Sequence, residues 1–276
     1  MSKDSSRPKP KTARAKQVMA SPSSDVSGTE ETPKRRGWGP ARGLLAVIVA
    51  FVGAEVVIAF VLPFVAGLIL SNQAAVDTWI NSVTGSFFYV LLTEVFTLFI
   101  LWRMLRRYAT LAEIGLGRSP QAGDLGWAIL AGLAYFVVFL VVISAVSAAF
   151  HINIDQKQEL GFDNIVGSGK LLLTFLSLVV FPPFVEETLF RGVLYTGFRK
   201  RTSFVQAALL TSVLFAAPHL FETSGGLLWV AAIDTFILSL ALCYLREKTK
   251  SLWPGIILHT IKNGVAFVSL YLFVGR

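Results

Sequence analysis

The residue types that could do chemistry in this chain are carboxylates and histidines that interrupt apolar stretches. The stretch FPPFVEETLFRGVLY at 181–195 contains two glutamates and an arginine, the next apolar stretch a histidine, and the last one HTIKN. The groups are Glu186, Glu187, Arg191, His219, His259 and Asn263. In a chain that is 54% hydrophobic, such groups are expensive unless they pair or line a wet cavity, so a functional role is the first hypothesis for each.

Helical spacing separates the two glutamates. Positions i and i+4 are neighbours on an α-helix, so Glu187 can pair with Arg191. Glu186 is turned about 100° from Glu187 and therefore faces another side of the helix. We therefore expect the Glu187 and Arg191 pair to be structural.

The same spacing places Asn263 one turn from His259, and His219 one turn from Phe215. At a rise of about 1.5 Å per residue, Glu186, His219, His259 and Asn263 lie roughly 12 to 24 Å from the cytoplasmic ends of their helices. Three helices thus bring polar groups to the middle of a bilayer, which predicts one shared site. Phe215 could shape that pocket or serve as packing.

A glutamate and two histidines in a cavity of low dielectric are suited to activating water. Desolvation makes Glu186 more basic, and a neutral histidine can accept a proton or bind a metal. Asn263 could donate a hydrogen bond to a developing oxyanion. The chemistry that these groups suggest is hydrolysis of an acyl bond.

The composition indicates a membrane protein. Only 15% of the 276 residues are charged, compared with about 25% in soluble domains. A hydrocarbon core of roughly 30 Å requires about 20 apolar residues, and such stretches recur after residue 43. We predict an all-α polytopic bundle over 43–276 with about seven spans. They are 44–71, 83–102, 125–150, 170–200 with a kink at Pro182 and Pro183, 203–220, 226–245 and 252–273.

Basic residues predict the orientation. Residues 1–42 hold ten Lys and Arg against four acidic residues, and their Ser, Pro and Lys content predicts a flexible cytoplasmic tail. Basic residues then concentrate in alternate loops, which places the N-terminus in the cytoplasm and the C-terminus outside. No nucleic-acid recognition module accompanies the charge, so nucleic acid is not an expected partner, whereas the lipid bilayer is.

Three motifs match a known family. EETLFR fits EExxxR, FAAPH fits FxxxH and HTIKN fits HxxxN of the CPBP family, the CAAX protease and bacteriocin-processing (Abi) intramembrane proteases. The resemblance covers about 170–273 and implies an all-helical membrane endopeptidase classed as a metalloprotease. It implies that Glu186 activates water with His219, that His259 and Asn263 stabilise the oxyanion, and that Glu187 and Arg191 support them.

The cofactor and the substrate stay open at this point. Glu186, His219 and His259 could complete a three-ligand zinc site with an open fourth position, and a metal-free glutamate mechanism would use the same atoms. The resemblance implies a membrane-embedded or lipid-anchored protein substrate, such as a prenylated CAAX protein, in a bacterial or archaeal cell membrane.

Two other functions fit the same residues. A non-catalytic relative acting in bacteriocin immunity or binding would keep the pocket without the reaction. A proton-coupled transporter would use buried carboxylates and histidines as a relay, although no internal repeat supports it. Separately, Asp234 and Lys262 lie at similar depth, so we expect them to form an ion pair.

Overall fold

The computed structural model describes residues 37–153, 161–162, 165, 167–221 and 226–274, and all regular structure within these ranges is helical. In chain order the helices are α1 (Pro40–Ile69), α2 (Gln73–Ile80), α3 (Val83–Leu105), α4 (Leu111–Ile114), α5 (Ala122–Phe150), α6 (Ser168–Arg199), α7 (Phe204–Ala216), α8 (Trp229–Thr249) and α9 (Trp253–Val268). A π-helical segment, Ser269–Val274, continues α9. The predicted all-α architecture is confirmed.

Six of these helices are long and apolar enough to cross a membrane, namely α1, α3, α5, α6, α8 and α9 with its extension. The chain is therefore a multi-pass integral membrane protein. The fifth predicted span, 203–220, is a shorter apolar helix, because the α-helix ends at Ala216 and a 3-10 turn, Pro218–Leu220, follows. Pro218 has no N–H to donate to the preceding turn, which is why the α-helical ladder stops there. His219 consequently lies in a 3-10 turn, where we had predicted a continuous helix.

The first helix begins earlier than the sequence predicts. It starts at Pro40, a favoured residue for a first helical turn, and not at residue 43 or 44. Trp38 lies just before it, is 1% exposed, and donates its indole N–H to the carbonyl of Val193 at 3.0 Å. The last residues of the predicted tail are thus part of the bundle, and residues 1–36 lie outside the described residues.

The helix that carries the two glutamates changes its hydrogen-bonding pattern twice. Within α6, Leu176–Val180 and Thr188–Tyr195 are π-helical, and the α-helical turns of Phe181–Glu187 lie between them. π-helical insertions are rare and often occur at functional sites. At the predicted kink, Pro182 and Pro183 lie in the first turn of the α-helical segment that follows the first π-helical segment.

Helix α6 is at the centre of the packing. It contacts α1, α3, α7, α8 and α9, while α5 packs against α8 and α9. Small residues on α1 allow close approach to its neighbours, since Ala46, Ala50 and Ala54 are completely buried. This arrangement holds the polar groups of α6 against those of α9.

Candidate active site

The four residues predicted to be catalytic line one cavity of about 760 Å³. Glu186 reaches it from α6, His219 from the 3-10 turn after α7, and His259 and Asn263 from α9. The rest of the wall is mostly apolar and comes largely from α5, α8 and α9. The tertiary structure therefore brings together the groups that the sequence separates by as many as 77 residues.

The predicted ion pair between Glu187 and Arg191 is confirmed. An Arg191 Nη1 proton is donated to Glu187 Oε1 at 2.8 Å, and both residues are 0% exposed. The Arg191 guanidinium also lies 4.2 Å from the centre of the Phe215 ring, a cation–π contact. The Glu187 carboxylate and the Phe215 ring thus both stabilise the charge of Arg191 inside the bundle.

His259 lies between the two glutamates. Its Nδ1 is 3.3 Å from Glu187 Oε1, and its Nε2 is 3.6 Å from Glu186 Oε2. An ionised carboxylate can only accept, so the proton of the first contact belongs to Nδ1. In the neutral ring Nε2 is then the acceptor nitrogen, turned toward Glu186. Glu187 therefore orients His259 in addition to pairing with Arg191.

His219 is oriented by the backbone. Its Nδ1 is 3.1 Å from the carbonyl oxygen of Phe215, and a carbonyl only accepts, so Nδ1 carries the proton and Nε2 is the acceptor of the neutral ring. The Phe215 ring contacts the rings of both His219 and His259, with centroids 5.6 and 5.9 Å apart. Phe215 is 2% exposed and is absent from the lining of the cavity, so it packs behind the two histidine rings.

Asn263 is positioned by a contact that the sequence did not reveal. Its Nδ2 donates to the backbone carbonyl of Leu178 at 3.0 Å. A helical hydrogen bond to that carbonyl would come from residue 182 or 183, and both are prolines without an N–H. The Pro182–Pro183 pair therefore leaves the Leu178 carbonyl available to the side chain of Asn263. In the sequence, a proline pair inside a span is the signal that indicates a backbone carbonyl without its helical partner.

The predicted pair of Asp234 and Lys262 is also confirmed, and it lies on the wall of the same cavity. Lys262 Nζ is 3.0 Å from Asp234 Oδ2. The hydroxyl of Tyr135 on α5 donates to the other carboxylate oxygen, Asp234 Oδ1. Tyr135 is a member of this group that the sequence motifs do not indicate, although a tyrosine in an apolar span commonly has a hydrogen-bond partner when it is buried.

The three-ligand zinc site, one of the two alternatives that the sequence leaves open, does not fit the described side chains. Within the described ranges, no group of three or more His, Cys, Asp or Glu side chains is arranged to hold a metal ion. A tetrahedral zinc site with an open position needs three such donors, so we derive no step through a metal.

The fold and the site are thus those of a multi-pass helical membrane protein in which Glu, His and Asn side chains surround one cavity. Residues 168–265 match the Rce1-like family model, described as Type II CAAX prenyl endopeptidase Rce1-like. This segment contains all three motifs, and the predicted family resemblance is confirmed.

Two curated proteins are similar to this chain. The Bacillus subtilis (strain 168) protein named "Putative membrane peptidase YdiL" is 26% identical over 150 residues, which cover 53% of this chain and 58% of that protein. An Escherichia coli protein named "Uncharacterized 24.3 kDa protein" is 34% identical over 91 residues, 32% of this chain and 40% of that protein. The chain thus spans about half the length of these relatives. No solved structure matches.

Proposed function

We propose that the protein is an intramembrane endopeptidase that hydrolyses a peptide bond of a membrane-associated protein. The observation that carries the proposal is the single cavity that Glu186, His219, His259 and Asn263 line from three separate parts of the bundle. Their residue types include a base, proton acceptors and an amide donor, the groups that hydrolysis of an amide requires.

In this proposal Glu186 takes a proton from a water molecule, helped by His219. The Nδ1–H of His219 is held by the Phe215 carbonyl, so its Nε2 can accept a hydrogen bond from the same water. The water oxygen then attacks the carbonyl carbon of the substrate. A low-dielectric cavity strengthens each of these electrostatic interactions.

In this proposal, side chains of α9 lie next to the oxyanion and the leaving group. Asn263 donates one amide proton to Leu178, and its second N–H is directed at the developing oxyanion. The proton taken by Glu186 goes to the leaving nitrogen as the C–N bond breaks. His259, whose Nδ1 is held by Glu187 and whose Nε2 lies 3.6 Å from Glu186 Oε2, lines the cavity next to the position proposed for the oxyanion.

The cavity wall supports a substrate with an apolar anchor. Leu133, Phe136 and Phe139 of α5 contribute an apolar surface beside the polar groups. Such a wall suits a lipid-modified or transmembrane segment, and a prenylated CAAX-type protein is the candidate that the family match supports. We further propose that the host membrane is that of a bacterium or archaeon and that the N-terminus lies in the cytoplasm.

The test is cleavage of a quenched fluorescent peptide that carries a farnesylated cysteine, by purified protein in detergent. Glu186→Gln keeps the size of the side chain and removes the base, so we expect cleavage to fall about 100-fold or more. Glu94→Gln is the matched control, because it neutralises another carboxyl group within a membrane span, on α3, and Glu94 is absent from the lining of the cavity.

The outcomes separate the proposed reaction from binding alone. Loss of cleavage in Glu186→Gln with near wild-type cleavage in Glu94→Gln supports the peptidase. Tight binding of the peptide by a wild-type protein that never cleaves it would favour the non-catalytic alternative. Equal cleavage by the wild type and Glu186→Gln would refute the assigned base.

A further inference from the structure

An exposed group of basic residues lies where the beginning of α1 meets the end of α6. Lys200 and Arg201 directly follow α6, and residues 37–39 directly precede α1. The Lys200 ammonium lies 3.5 Å from the centre of the Trp38 ring, a cation–π contact. Trp38 itself is buried, and its indole N–H donates to the carbonyl of Val193 on α6. The two helix ends are therefore joined, and both cations lie on the exposed side of the junction.

Two glycines leave these cations uncovered. A β-carbon at Gly37 would lie 3.5 Å from Lys200 Nζ, and one at Gly39 would lie 3.7 Å from Arg201 Nε. Because neither glycine has a side chain, the surface beside both cations stays open to a ligand. Arg42, on the first turn of α1, is a third exposed basic residue at this end of the bundle.

The two cations lack the counter-ion that a neighbouring residue has. Arg199, one residue before Lys200, pairs with Glu247 at 3.0 Å. In the part of the chain that the structure describes, no carboxylate oxygen lies within 4.0 Å of Lys200 or Arg201. Glu113 attracts Lys200 from a greater distance, but its carboxylate caps its own helix, α4. Two adjacent cations without a paired carboxylate favour an anionic ligand.

The lengths of the two helices place this group at the level of the lipid headgroups. At about 1.5 Å per residue, the 30 residues of α1 and the 32 residues of α6 are roughly 45 and 48 Å long. A hydrocarbon core of about 30 Å and its two headgroup layers together measure about 40–45 Å. The ends of both helices therefore reach the headgroups, a level at which tryptophan is enriched. The anions abundant there are the phosphates of phospholipids.

We propose that Lys200 and Arg201 bind the headgroup phosphate of an anionic phospholipid at the junction of α1 and α6. The guanidinium of Arg201 can donate two parallel hydrogen bonds to one phosphate, and the Lys200 ammonium adds a charge contact. Arg42 increases the positive potential around the site. None of these residues lines the cavity that contains Glu186, so this is a separate site. A lipid bound there holds the first span against the helix that carries both glutamates, whether or not the protein is a peptidase.

The test is native mass spectrometry of the full chain released from detergent micelles, which counts the bound lipid molecules at each lipid concentration. Phosphatidylglycerol is compared with phosphatidylcholine of the same acyl chains, because both contain a phosphate and only phosphatidylglycerol has a net charge. With two cations at the site, we expect the wild type to bind the first phosphatidylglycerol molecule roughly 10- to 30-fold more tightly than the first phosphatidylcholine. Lys200→Gln/Arg201→Gln should remove this preference.

The matched control is Lys248→Gln/Lys250→Gln, which removes the same charge from two exposed residues at the end of α8. They lie at the same end of the bundle, because Glu247 contacts both Arg199 and Lys250. This control should keep the preference for phosphatidylglycerol. Equal losses in the two double variants would show that only the overall charge attracts the lipid, and would overturn the proposed site. An unchanged preference in Lys200→Gln/Arg201→Gln would overturn it as well.

Two further arms test the chemistry of the site. Lys200→Arg/Arg201→Lys keeps both charges and one guanidinium, so it should keep the preference; its loss would show that the two side chains act through packing against Trp38 and would overturn the proposal. Inorganic phosphate in excess should not displace phosphatidylglycerol, because the free ion has no acyl chains to contact the exposed apolar residues of α1, such as Leu45 and Ile48. Displacement by phosphate alone would overturn the assignment to a lipid.

Discussion

Arg191→Met should destabilise the protein by leaving the Glu187 carboxylate without its main counter-ion. The substitution removes the 2.8 Å contact with Glu187 and the 4.2 Å contact with the Phe215 ring, and it keeps an unbranched apolar side chain. Both partners are fully buried, so water cannot replace the lost interaction. Removing one member of a buried pair typically costs about 3–5 kcal/mol, and we expect a loss of that size.

The matched control is Arg199→Met, which breaks a partly exposed pair between the end of α6 and Glu247 of α8. Arg199 contacts Glu247 at 3.0 Å, but their side chains are 37% and 25% exposed. Glu247 would keep the hydroxyl of Tyr195 at 2.7 Å and Lys250 at 3.4 Å. The same chemical change should therefore cost only about 1 kcal/mol or less here.

The assay is reversible unfolding in mixed micelles of mild detergent and sodium dodecyl sulfate, followed by far-ultraviolet circular dichroism. The double variant Glu187→Gln/Arg191→Met no longer buries a lone charge and should recover at least half of the loss. Equal losses in Arg191→Met and Arg199→Met would refute the reasoning, and so would a double variant less stable than Arg191→Met.

Three further predictions concern the reaction. Glu187→Gln should lower kcat about 100-fold with little change in KM, because His259 loses the carboxylate that orients its ring; an unchanged kcat would contradict this positioning role. Asn263→Ala should lower kcat about 100-fold or more. Asn263→Gln should not restore activity, because the longer side chain no longer places its amide opposite the Leu178 carbonyl. Full activity in either variant would rule out an oxyanion donor at this position. A chelator should leave cleavage unchanged, as the described residues offer no three-ligand metal site; loss of activity that zinc restores would show that the ligands assemble differently.

The sequence predicts the architecture well because hydrocarbon imposes a simple rule. A span must be long, apolar and hydrogen-bonded within itself, so composition and length reveal helices such as Ala122–Phe150 directly. The same rule predicts the ends of the helices less accurately. Trp38 lies among basic and small residues and resembles the tail, but it is buried because the carbonyl of Val193 and the start of α1 surround it.

The candidate site was predictable in its membership and much less so in its geometry. Helical spacing was enough for the contact of Glu187 with Arg191, which lie on one helix. It could not show that His259, 72 residues further along, donates to the same carboxylate oxygen. That contact depends on how α9 packs against α6, and periodicity within one helix carries no information about the rotation of two helices relative to each other.

By itself, the sequence determined that the protein lies in a membrane and that a few glutamate, histidine and asparagine residues in its apolar stretches form three family motifs. Covalent order and local periodicity are sufficient for such conclusions. Only the tertiary structure decided which atoms meet. It places His259 between the carboxylates of Glu186 and Glu187, and Asn263 against the Leu178 carbonyl. It also places Lys262 against Asp234 on the cavity wall. The physical reason is that helix packing arises from the fit of whole surfaces, many residues at once, and the pattern along any one helix does not specify that fit.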